Sequence, residues 1–128
     1  MSSSGFAALA VALGFLASGP AAACMSETAA REAAQGRLAI RAAKDAAGRS
    51  ERPYILTVPT PVCLTASDPE NSVKGTRTIH VYPATPKLHE AMQRLVGKTV
   101  EVRGTVFAAH TAHHHAPIVM EVAEIKGR

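Results

Sequence analysis

At 128 residues, with 47% hydrophobic content and a formal charge of +4, the chain has the size and composition of one small globular domain. This excludes a disordered, charge-dominated polypeptide and leaves room for a single core. The basic excess is modest and scattered. Arg31, Arg37, Arg41, Lys44, Arg49 and Arg52 lend the first third a positive lean, which suits either a solvated surface or an anionic cell-surface partner.

Phe6 to Ala17 form an apolar run of 12 residues, followed by Ser18-Gly19-Pro20 and Ala21-Ala22-Ala23. The pattern reads as a secretory signal peptide over residues 1–23 with cleavage before Cys24, although no Lys or Arg precedes the run. A buried helix or an uncleaved membrane anchor are the alternatives, but the run is shorter than the roughly 20 residues that span a bilayer. Residues 24–128 then form the exported domain, periplasmic or secreted. In an oxidising compartment Cys24 and Cys63 can pair, and two cysteines allow one intramolecular bridge. The rival reading makes Cys24 the lipid-modified first residue of an anchored lipoprotein, with Ala21 standing where such signals usually have Leu.

Residues 25–36 are polar and Ala-rich, either helical or frayed. "GRLAIRA" alternates, with Leu38 and Ile40 on one side, and predicts a half-buried strand. "AKDAAGRSER" (43–52) reads as a polar connection. "PYILTVPTPVCL" places Tyr54, Leu56 and Val58 on one face of a second strand until Pro59 and Pro61 interrupt it, leaving an irregular segment that holds Cys63. "TASDPENSVKG" (65–75) is loop chemistry; its acids, Asp68 and Glu70, match no calcium-loop spacing. In "RTIHVYP" (77–83), Ile79 and Val81 alternate with Thr78, His80 and Tyr82, a third strand.

A helix follows. Leu88, Ala91, Met92, Leu95 and Val96 make one apolar stripe, with Thr85 as cap, Pro86 in the first turn and Gly97 closing the end. "KTVEVRGTVF" and "PIVMEVAEI" supply two last strands, with Gly104 allowing a sharp bend. Three strands, a helix and two strands is the order of a mainly β, OB-like five-stranded barrel with one helix between strands 3 and 4. The helix is expected to plug one end.

"YILTVPTPVCL", "RTIHVYP" and "LVGKTVEVRGTVFAAHTAHHHAPIVMEVAEI" resemble the bacterial family called domain of unknown function 4431, across roughly residues 53–125. The resemblance implies a small exported domain with cysteines at positions 24 and 63, and favours their disulfide over lipidation. Two features depart from the family pattern. Ala112 stands where members usually have Gly, and residues 43–52 are shorter than the Gly/Pro/Asn/Tyr-containing connection found there. The family implies architecture and compartment, but no reaction.

His110, His113, His114 and His115 fall within six positions, in the connector between the last two strands. Four imidazoles supply nitrogen ligands for Zn(II), Cu(II) or Ni(II). In extended chain His113 and His115 project to one side, so the expected set is His110 with His113 and His115; a tight turn would bring in His114 instead. The plainer reading has these side chains hydrogen-bonding the hairpin backbone or one another. A third is a pH-responsive cluster.

Catalytic constellations are not recognised: no serine lies in an elbow motif, Cys63 is expected oxidised, no acidic pair sits in a catalytic context, and no phosphate loop or dinucleotide fingerprint appears. Nucleic-acid or oligosaccharide binding, the habit of such barrels, has few aromatic platforms here. With Tyr54 assigned to the core, only Tyr82 and Phe107 remain, which disfavours nucleic acid. The sequence therefore predicts a monomeric binding or accessory module of the cell envelope, with no cofactor established, for an unidentified partner or small ligand. Its runner-up is a transition-metal protein that takes Zn or Cu through the histidines.

Overall fold

The structure is a computed structural model and describes residues 24–128. The expected signal peptide, residues 1–23, lies outside the described residues. The elements in order are β1 (Met25–Ser26), β2 (Glu32–Ile40), β3 (Ala43–Lys44), β4 (Ser50–Glu51), β5 (Tyr54–Thr65), a 3-10 turn (Pro69–Asn71), β6 (Val73–Pro83), α1 (Pro86–Leu95), β7 (Thr99–Ala108) and β8 (Ile118–Gly127).

Five long strands close a barrel in the order β5-β2-β7-β8-β6, with β6 pairing back onto β5. All these pairings are antiparallel except β6 with β8, where Ile79 lies opposite Ile118 and Val81 opposite Met120. That parallel pair requires a crossover, which α1 and β7 supply. The five-stranded OB-type barrel with its helix between the third and fourth barrel strands is thus the observed fold.

Alternation decides which side chains enter the barrel. Leu38 faces Leu56, Leu56 faces Ile79, and these join Val81, Val102, Ile118 and Met120 in one core. Thr85 caps α1 by accepting from the Leu88 N–H, and of the predicted stripe Met92 is the residue fully sunk into the core; Leu88, Ala91, Leu95 and Val96 are half-buried. Gly97, at φ +85°, turns the chain so that its N–H donates to the Leu38 carbonyl at 2.7 Å, fastening the helix end to β2.

Three local expectations change. Residues 25–36 are neither helical nor frayed: β1 pairs in parallel with the end of β5, and β2 begins at Glu32. Alanine's helix preference yields to tertiary pairing, because Glu32 to Arg37 form a ladder with β7 that puts Ala34 and Gly36 on the barrel's inner face. The connection at 43–52 contains a two-stranded ribbon, β3 with β4, turned by Asp45, whose carboxylate accepts from the N–H groups of Ala47 and Arg49. β6 starts at Val73 instead of 77. Pro59 and Pro61 do interrupt the β5–β6 ladder, which skips from Thr57 to Val62, but β5 itself runs on to Thr65, so the segment holding Cys63 is strand and not irregular.

Cys24 and Cys63 form the disulfide. It ties β1 to the far end of β5, where Met25 lies beside Leu64. Glu101, 8% exposed on β7, is compensated by Arg103 at 3.0 Å, Arg128 at 2.7 Å and Lys126 at 3.7 Å, with the Arg103 hydrogen bond foremost in holding its pKa below the usual carboxylate value.

Gly104 sits at the register shift between β7 and β8, and a Cβ there would run into the Glu121 carbonyl. Gly104→Ala is expected to destabilise the barrel by about 1–3 kcal/mol, measured as a lower urea midpoint at unchanged m-value. The disulfide closes a sequence separation of 39 residues. Reduction, or Cys63→Ser, is expected to remove about 4 kcal/mol in the chain-entropy description, and urea unfolding with and without reductant measures it.

Candidate functional site

Ile55, His80, Val119 and Phe107 are consecutive partners across β5, β6, β8 and β7. Partners across a ladder share a face, and since their sequence neighbours Leu56, Ile79, Val81, Ile118 and Met120 form the core, this row lies on the outside of the barrel. Yet Ile55 is 1% and Val119 0% exposed. The row is covered because the connection between β7 and β8 folds down onto it, which buries Ala116 as well.

Ring contacts trace this cover. His110 and His114 both lie on Phe107, with ring centroids 5.5 and 5.4 Å away, and the two imidazoles meet edge to face at 4.7 Å. His115 and His114 pack beside His80 at 5.7 and 6.3 Å. His114 Nδ1 accepts from the backbone N–H groups of His110 (3.0 Å) and Thr111 (3.3 Å), capping the turn. His80 Nδ1 accepts from the His115 N–H at 3.1 Å, pinning the connection to β6. The plainer reading of the sequence therefore describes His114, and His80 plays a similar part from the barrel wall.

His113 and His115 turn elsewhere. His113 Nδ1 lies 2.5 Å from one oxygen of Glu51, and His115 Nε2 lies 3.2 Å from the other. Glu51 belongs to β4, so the β2–β5 connection meets the β7–β8 connection through one carboxylate. This contact holds Glu51 below the ordinary carboxylate pKa, with the His113 hydrogen bond as the main cause. Asp45 stands beside them. A potential ligand atom from each of Asp45, Glu51 and His113 lies within 4.8 Å of the others, the one such group of three among the described residues. Asp45 is already occupied by its own turn and by Arg49 Nε at 2.9 Å.

Of the four histidines expected to act together, the structure thus gathers His113 and His115 on Glu51, while His110 stacks with His114 and Phe107. Sequence reading missed Glu51, Asp45 and His80. Two signals were present. In an OB order the first and last connections flank the face of the second and third strands, and His80 alternates outward from Ile79 and Val81. The connection at 43–52 supplies the acid that the histidines meet. Tyr82 and Phe107, the remaining stacking platforms, are engaged: Tyr82 donates to Glu121 at 3.0 Å and Phe107 lies under two imidazoles.

Barrel, disulfide and paired connections define a small cross-linked OB-type domain with a loop-covered outer face. Residues 78–126, from within β6 to near the end of β8, match the model of the family described as Domain of unknown function (DUF4431). Among curated proteins no match is found. No helix among the described residues is long and apolar enough to cross a membrane.

Burial, aided by repulsion from His115 and His114 and opposed by Glu51, lowers the His80 pKa from 6.5 to about 4. His114 shifts the same way, again chiefly by burial. The native state therefore holds His80 neutral. Its contribution is complete above pH 6.5 and is lost as pH falls toward 4, because the unfolded chain takes up the proton first. Allowing for its partial exposure, the loss is on the order of 1–2 kcal/mol. Unfolding free energies between pH 7 and 5 are expected to fall more steeply for the wild type than for His80→Gln; parallel slopes would remove His80 from this role.

Proposed function

We propose that the chain is an exported binding module of the cell envelope whose two-connection face takes a transition-metal ion, of the Zn(II) or Cu(II) type, through Glu51 and His113, flanked by Asp45 and His115. The observation that carries this reading is the approach of two imidazole nitrogens from one connection to both oxygens of a single carboxylate on the other. Imidazole nitrogen and carboxylate oxygen are a donor set for borderline divalent ions. Asp45 adds negative charge at the same point, and Glu51 is already ionised at neutral pH.

The rest of the cluster supports these ligands. His80 fixes the His115 backbone, and His114 closes the turn that carries His113. His110 belongs to the Phe107 stack and takes no part in the ligand set. Export rests on the apolar run at residues 6–17 and on the disulfide, which belongs to an oxidising compartment.

Calorimetric titration of the oxidised protein with Zn(II) and Cu(II) at pH 7 tests the assignment. One-to-one saturable binding is expected, lost in the His113→Ala/His115→Ala pair, weakened about tenfold or more in Glu51→Gln and unchanged in His110→Ala. Absence of saturable binding, or binding indifferent to Glu51, would overturn it.

A further inference from the structure

A second concave surface lies away from the histidines, where β2 and β5 part. Their ladder ends at the pair Arg37 and Thr57, and from there to Val62 β5 has no partner on β6 either. Pro59 and Pro61 lack the N–H groups that would continue a ladder. The divergence opens a groove of about 620 Å³, within the size range of small-molecule sites.

Its chemistry is one-sided. Val58, Pro59 and Gly36 line it with apolar surface and main chain, Thr57, Thr99 and Gln35 bring neutral polar groups, and Arg37 and Arg77 bring two guanidinium groups. No carboxylate lines it. Arg31, Arg49, Arg103 and Arg128 each have an acidic partner, whereas Arg37 and Arg77 have none among the described residues. Two uncompensated guanidinium groups beside an apolar surface present a fork geometry matched to an oxyanion, and the apolar lining favours a ligand whose body is not charged throughout.

We infer that this groove is a binding site for an organic anion with an apolar body, its carboxylate or phosphate head held between Arg37 and Arg77 and its body lying along Val58 and Pro59. The site is built from β2, β5, β6 and β7, shares no residue with the Glu51 cluster and is independent of any metal there. It also gives a specific place to the positive lean of the first third of the chain, of which Arg37 is part.

Fluorescence titration of the folded, oxidised protein with 1-anilinonaphthalene-8-sulfonate, an aromatic anion, tests the inference. Saturable binding is expected, competed by octanoate and by octyl phosphate but not by octanol, which has the same chain without the charge. Arg37→Gln/Arg77→Gln is expected to weaken binding about tenfold or more, Arg77→Gln alone to weaken it less, and Glu51→Gln to leave it unchanged, with circular dichroism confirming the fold of each variant. Competition by octanoate alone or by octyl phosphate alone identifies the head group. Equal competition by octanol, binding unaffected by the arginine substitutions, or no saturable binding overturns the site.

Discussion

The architecture of the histidine site depends on an apolar row placed on the outside of a small barrel. A half-buried strand normally turns polar residues outward, but Ile55 and Val119 leave apolar surface there that must be covered. The β7–β8 connection provides the cover, folding back along the barrel wall. Once it lies flat, His113 and His115 face the β3–β4 ribbon. Covering the row thus brings His113 and His115 to Glu51.

Polar contacts then settle the details. His114 and His80 each spend Nδ1 as an acceptor for backbone N–H groups that the turn would otherwise leave unsatisfied, which requires both rings to stay neutral on that nitrogen. His113 and His115 instead point ring nitrogens at an ionised carboxylate. Neighbouring residues of one type therefore have opposite electrostatic roles, two tied to the main chain and two to a charge. Asp45 contributes indirectly: by fixing the β3–β4 turn, it sets where Glu51 stands.

Strand alternation made the barrel readable. Leu38, Leu56, Ile79, Val81, Val100 and Val102 repeat with period two, and Thr85, Pro86 and Gly97 bracket the one helix described. Residues 32–36 were obscure because their strand state is imposed by β7, whereas Ala, Gln and Gly carry no strand signal of their own. The histidines were conspicuous in sequence, but their partner was not. Glu51 precedes His113 by 62 residues, and that contact depends on how two connections cross over a barrel face. The groove at Arg37 and Arg77 was equally hidden, since it arises from strands that diverge and not from any local motif.

The parallel pairing of β6 with β8 bears on where this domain can be divided. The family segment at 78–126 holds most of β6, all of α1 and β7, and nearly all of β8, so β8 has both its neighbours inside the segment. β7 and β6 do not: each needs β2 or β5 on its other side. Cut out alone, the segment would be an open three-stranded sheet with two bare edges and half a core. The stretch recognisable by family is therefore smaller than the unit that folds, and residues 24–77 supply the two staves and the cross-link that turn it into a closed vessel.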